Sequence, residues 1–186
     1  DNIEYINDGG NDLIRLIGED KMIPAYYASS GVQSAMPLDV MADYFTNLVG
    51  KNASVSKHDL ANTLARYLGK DKELTNEMLK SISNKMKYQS VQLFIEKPEQ
   101  NLYPDSQRNL TINLVCALKK AMPKGREDSM LVMTTHSPYI LSTLNVLIAE
   151  AYAMDTKPKS DKLRNIVNKE CLFPLSAYSA YYIQED

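Results

Sequence analysis

Apolar positions along the chain change period from segment to segment, and each period predicts an element. After Pro37, residues Leu38, Met41, Phe45, Leu48 and Val49 recur at steps of three and four, the signature of a helix with one buried face, and Gly50 is placed to stop it. From about Lys57 to Lys87 the chain is rich in charge and in good helix formers, with a break near Gly69. This predicts two exposed helices in a hairpin, and a solvated insertion is a simpler reading of it than a dedicated partner surface. Val91-Gln92-Leu93-Phe94-Ile95 is a β-branched and aromatic run that ends in Glu96-Lys97-Pro98-Glu99, a buried parallel strand with acids at its carboxyl end. Pro104 stands where a first helical residue belongs, and Leu110, Leu114 and Leu118 mark the inward face of that helix. A second strand, Met130-Leu131-Val132-Met133, runs into Thr134-Thr135-His136, after which Ser137-Pro138 caps and opens another helix with Ile140, Leu144, Leu147, Ile148 and Ala151 on one stripe.

Strand, helix, strand, helix predicts a parallel α/β sheet with a right-handed crossover, whose ligands lie beyond the carboxyl ends of the strands. Ahead of this unit the chain reads as a polar segment leading to a small-residue turn, Ala28-Ser29-Ser30-Gly31-Val32-Gln33-Ser34. Behind it, a helix is expected near Leu163 to Asn168 and a last strand through Ser179-Ala180-Tyr181-Tyr182-Ile183. Tyr178, Tyr181 and Tyr182 are expected as half-buried strand residues, since no basic residues interleave them as in a base-stacking surface.

At 186 residues the chain has the size of one domain. Its 44% hydrophobic and 24% charged residues describe an ordinary globular protein, with no apolar run of the 18 or so residues that span a bilayer. The formal charge of −2 provides no global attraction to nucleic acid, although a local basic patch would escape that sum. Cys116 and Cys171 lack metal-like spacing, so two reduced thiols in a cytoplasmic protein are expected. The first residues, from Asp1 to Tyr5, have no signal-peptide character, and without an initiator methionine both ends are treated as cuts in a longer chain.

Several polar residues stand where this architecture binds ligands. An acid at a rigid strand end can hold magnesium directly or through water, because that ion takes oxygen ligands and keeps several waters. Glu96 is that acid. At the neighbouring strand end His136 is placed to hydrogen-bond a terminal phosphate or an attacking water. Ser29, Ser30 and Gly31, ahead of a helix, offer backbone N–H groups and hydroxyls to an anion. Each alone has a plainer role, as helix cap, surface charge or ordinary turn. Asp105 is expected to favour its helix amino terminus and His58 to sit on an exposed face.

Together these segments resemble the ABC-type ATPases of the overcoming-lysogenization-defect, RecF and SMC-like group. Leu93-Phe94-Ile95-Glu96-Lys97-Pro98-Glu99-Gln100-Asn101-Leu102-Tyr103-Pro104 is similar to their extended Walker B segment, Thr134-Thr135-His136-Ser137-Pro138 to the switch-histidine strand, and Ser29-Ser30-Gly31-Val32-Gln33-Ser34 to the signature motif. The resemblance covers roughly residues 25 to 150. It implies a partial P-loop NTPase fold, ATP and Mg2+ as ligands, and a second head as partner, with the signature segment gripping nucleotide held by the other subunit. Glu96, Glu99 and His136 are then the catalytic candidates, Glu96 the magnesium ligand, and Ser29, Ser30, Gly31, Gln33 and Lys97 the nucleotide contacts. The chain is expected to divide into a signature and helical region over 25–88, a Walker B to switch-histidine core over 89–152 and a tail over 153–186.

Two departures from the family pattern stand out. Lys97 occupies the place of the second acid, and a protonated lysine is a poor general base; either Glu99 substitutes, or Lys97 neutralises phosphate charge in a slow or inactive ATPase. No G-x-x-x-x-G-K-[ST] occurs: at Gly50-Lys51-Asn52 the first glycine position is Phe45 and the hydroxyl position is Asn52. The loop that cradles the phosphates is expected upstream of Asp1. A degenerate head that serves assembly, or the ATPase part of a nuclease-linked defence protein with a nuclease or DNA-associated partner, are the rival expectations.

Overall fold

The apolar run from Leu93 to Ile95 forms a strand, as its pattern predicts, and pairs in parallel with the second run. In the computed structural model, which describes residues 3–54, 56–68, 76–122, 128–156 and 171–182, ten elements follow one another. They are β1 (Ile3–Asp8), β2 (Asn11–Leu16), β3 (Met22–Pro24), α1 (Ser30–Leu48), α2 (Lys57–Leu68), α3 (Asn76–Lys85), β4 (Gln92–Glu96), α4 (Pro104–Ala121), β5 (Met130–Thr134) and α5 (Pro138–Thr156).

The β4-α4-β5 unit is the α/β core. Gln92 lies opposite Met130 and Glu96 opposite Thr134, so both strands end at the same level. Side chains alternate across a strand. Leu93, Ile95, Leu131 and Met133 pack with Leu110 and Leu114 of α4, and Ala35, Leu38 and Ala42 of α1 complete this cluster. The opposite face of the sheet carries Phe94, Met130 and Val132, which stay 68%, 41% and 37% exposed. α4 and the following α5 both start as expected: Pro104 opens α4 behind an extended Tyr103, and at the start of α5 the Ser137 hydroxyl accepts the Tyr139 N–H at 3.1 Å.

α1 differs from its expected form at its start and in its phase. It begins at Ser30 and contains Pro37, so the proline that reads as a helix opening is an interior residue. Ala42, Thr46 and Val49 are its buried positions, whereas Met41 and Phe45 are 53% and 39% exposed. α1 lies on α4 through the small residues Ala35 and Ala42 beside Leu38. A step of one residue rotates a helix by roughly 100° and turns the bulky Met41 and Phe45 outward. Gly50 does end the helix, at φ 81°. In place of the expected polar leader, β1, β2 and β3 form an antiparallel meander. Its first turn, Asp8-Gly9-Gly10-Asn11, has both glycines at positive φ, the backbone that a two-residue hairpin turn requires.

α2 and α3 appear where the charged hairpin is expected, and His58 is exposed on α2. The linker between these helices, and the helix expected near Leu163 to Asn168, lie outside the described residues. The carboxyl-terminal strand is not formed over 179–182, where Tyr181 and Tyr182 stand almost fully in solvent with no neighbouring strand among the described residues. Tyr178 is half-buried, its ring 6.3 Å from that of Phe173.

The expectation of two reduced thiols is also corrected. Cys116 of α4 and Cys171 are joined as a disulfide with their Cα atoms 4.3 Å apart, inside the cluster of Val115, Leu147 and Phe173. Fifty-five positions of sequence separate them, so spacing alone did not reveal the pair. Among the described residues no helix is long and apolar enough to cross a membrane.

Candidate functional site

The turn that leaves β4 holds the site together. Glu96 is the last strand residue and faces the open side of the sheet with Phe94. Lys97 then takes φ 48° and Asn101 φ 60°. Left-handed backbone costs an L-residue roughly 1–2 kcal/mol, and its concentration in one short turn marks a conformation imposed by its surroundings. The restraints are visible. Lys97 N–H donates to Thr134 O at 2.8 Å, Gln100 N–H to Lys97 O at 3.1 Å and Leu102 N–H to Glu99 O at 3.1 Å. Pro98 is buried within the turn.

Glu99 reaches across to the end of β5. One carboxylate oxygen accepts the Thr135 hydroxyl at 2.8 Å and the other accepts the His136 backbone N–H at 2.9 Å. Burial pushes its proton affinity up, but the His136 N–H, the Thr135 hydroxyl and the nearby imidazole together hold the carboxyl below the ordinary glutamate range. Thr135 Oγ also accepts Ser137 N–H at 2.9 Å. The Ser137 hydroxyl donates to Gln107 Oε1, and Gln107 Nε2 donates to Leu102 O at 2.9 Å. Glu99, Thr135, Ser137, Gln107 and Leu102 therefore close a ring of hydrogen bonds between the two strand exits and the start of α4.

The start of α1 is tied to the same turn. Asn101 Nδ2 donates to Ser34 Oγ at 3.2 Å, and a Cβ at Gly31 would stand 3.1 Å from the Asn101 carbonyl oxygen. That close approach of backbone to backbone is the physical reason for glycine there. Ser29 caps α1, its hydroxyl accepting Val32 N–H at 3.4 Å, and Ser30 follows as the first helical residue, both exposed. Gln33 turns its amide onto the preceding 3-10 turn, Ala25–Tyr27, donating to Tyr26 O at 2.6 Å and Ala28 O at 2.9 Å.

Glu96, Lys97, Glu99 and His136 are thus brought together at the paired strand ends, and Gly31 meets the same turn through Asn101. Sequence reasoning assigned no role to Thr135, Asn101, Ser34 or Gln107. Thr135, Asn101 and Ser34 lie inside the motif segments, whereas Gln107 carries no signal that distinguishes it from an ordinary helix residue.

The Glu96 side chain is exposed and makes no hydrogen bond or ion pair among the described residues. Its hard carboxylate fits one position of a magnesium shell completed by water and phosphate oxygens. Among the described residues no three His, Cys, Asp or Glu side chains gather to form an all-protein cage. Gly50-Lys51-Asn52 does different work: Gly50 N–H donates to Tyr88 O at 2.9 Å and Asn52 bridges Lys87, so this segment ties the end of α1 to the chain ahead of β4. Comparison with protein-family models, curated proteins and solved structures found no match to the chain.

Proposed function

We propose that this chain forms the carboxyl-side part of an ABC-type ATPase head, in a P-loop NTPase fold that binds and hydrolyses Mg-ATP between two heads. The observation that carries the reading is the meeting at one strand end of the three segments that resemble the family motifs. Glu96 and the Thr134-Thr135-His136 exit are paired neighbours, and the start of α1 is fastened to the turn between them. Glu96 would hold the magnesium, whose chemistry when bound is to neutralise charge on the phosphates. His136 would orient the terminal phosphate or the attacking water. Ser29, Ser30 and Gly31 would present the α1 amino end, with the N–H groups of Ser30 and Gly31, to nucleotide on a partner head. Transfer of a phosphoryl group depends mainly on placement and electrostatics, which a rigid strand-end site supplies.

A second reading, a head that has lost hydrolysis and serves assembly, is favoured by one observation: Lys97 stands where the family carries its water-polarising acid, and Glu99 is already engaged on Thr135 and His136. A nuclease or DNA-associated partner rests on the resemblance alone.

Calorimetry with Mg-ATP tests the proposal. The sequence contains no G-x-x-x-x-G-K-[ST], so the chain by itself is expected to bind weakly or not at all, whereas a polypeptide that carries a phosphate-binding loop ahead of it is expected to bind and hydrolyse ATP. Loss of hydrolysis in Glu96→Gln and His136→Ala of the extended protein is the expected result. Micromolar binding by the chain alone, or hydrolysis indifferent to both substitutions, overturns the reading.

A further inference from the structure

We infer that Glu99 is a positioning residue, whose carboxylate fastens the exit of β4 to the exit of β5 and fixes the backbone from which His136 projects. Its bearing on catalysis rests on the proposed ATPase reading; the fastening itself does not.

Three features of the geometry lead there. Both carboxylate oxygens are committed to β5-exit donors, the Thr135 hydroxyl and the His136 N–H. Those donors are consecutive residues, so the contact fixes a main-chain direction as well as a point. The rest of the ring, from Thr135 through Ser137 and Gln107 to Leu102, then returns to Glu99 through its own carbonyl oxygen. Removing Glu99 opens the ring at the link nearest to His136. A general base has a different requirement: a carboxylate free to accept a proton from water. A carboxylate whose two oxygens each hold a donor in the ground state is poorly suited to that task.

Positioning and base catalysis respond oppositely to Glu99→Gln. The glutamine carbonyl can accept the His136 N–H, and its amide can donate to Thr135 Oγ, which has two lone pairs and a hydroxyl proton free to turn away. The fastening survives and a base does not. Glu99→Ala removes both.

Amide hydrogen exchange followed by NMR on the 186-residue chain reads the fastening directly. Exchange at the His136 amide is expected to speed up about tenfold or more in Glu99→Ala, the equivalent of one lost hydrogen bond, and to stay within roughly threefold of native in Glu99→Gln. Should the alanine variant fail to fold, Glu99→Asp replaces it, since a side chain one methylene shorter cannot span both donors. Equal His136 exchange in native and truncated variants overturns the inference. In the upstream-extended protein, hydrolysis by Glu99→Gln should remain within about threefold of native, while a fall of about a hundredfold with native-like His136 exchange would make Glu99 the base and also overturn it. Absence of hydrolysis in that native protein sinks the ATPase proposal instead, and leaves the exchange measurement to decide the role of Glu99.

Discussion

Lys97 sits at φ 48° with its N–H on Thr134 O and its side chain exposed at the head of the site turn. Replacing it with glutamate leaves the backbone strain unchanged, because neither residue is glycine, but exchanges a pure donor for a carboxylate that can accept a proton from water. On the proposed ATPase reading, and with Glu99 engaged elsewhere, Lys97→Glu in a protein that carries a phosphate-binding loop ahead of this chain should raise ATP hydrolysis by roughly tenfold or more with little change in nucleotide binding, measured by steady-state rates. Two other acids make pH informative. Glu99 is held below its ordinary range, so its contribution to stability is present above the unfolded value and lost as pH falls through the lower folded one. Asp39 is pushed up by burial despite the Asn113 amide at 3.3 Å, so its ionised form destabilises the fold at neutral pH. Asp39→Asn should therefore raise stability at pH 7, and the gain should fade as pH drops from the raised folded value to the ordinary aspartate value, followed by denaturant titrations across that range. Glu99 itself was legible in sequence beside a strand end, whereas Asp39, inside α1, was not. The partners of neither acid were legible, because hydrogen bonds between residues 36, 37 or 74 positions apart leave no local pattern.

Elements with strong local signals formed over the segments read for them: β4, α4, β5 and α5 each combine an apolar face with a recognisable start or stop, although β4, read as a buried strand, leaves Phe94 68% exposed on its outer face. α1 shows how one such signal misleads. Pro37 invites a helix start, yet the helix tolerates it inside and begins at the Ser29 cap, and close contact with α4 selects small residues over Met41 and Phe45. The hairpin of β1 and β2 was missed because Asn7, Asp8, Asn11 and Asp12 make its turn end polar, although Ile3, Tyr5, Ile6, Leu13, Ile14 and Leu16 supplied apolar positions and Gly9-Gly10 marked the turn. At the start of α5, Ser137 serves as cap and also as the donor that satisfies Gln107. Ser137→Ala removes the cap and leaves a buried acceptor without its partner, at a cost of about 2 kcal/mol. A lower denaturant midpoint with an unchanged m-value is the expected result.

For the whole molecule, the disulfide between Cys116 and Cys171 links α4 to the tail across 55 positions. On the loop-entropy account, a closure of that length stabilises the fold by about 4 kcal/mol. Thiol titration of the unreduced, denatured chain should find no free sulfhydryl, and adding reductant should lower the thermal midpoint. Two free thiols would restore the expectation drawn from the sequence. The remaining large-scale feature is the two-stranded sheet, which among the described residues has an apolar outer face at Phe94, Met130 and Val132 and no third strand beside either edge. Such a surface sets two reactions in competition during refolding. Closure of the β4-α4-β5 unit is first order in chain, whereas edge-to-edge pairing of two chains is second order. Recovery from denaturant should therefore fall as the protein concentration rises, and Val132→Lys, which places a charge on that face, should make the yield independent of dilution.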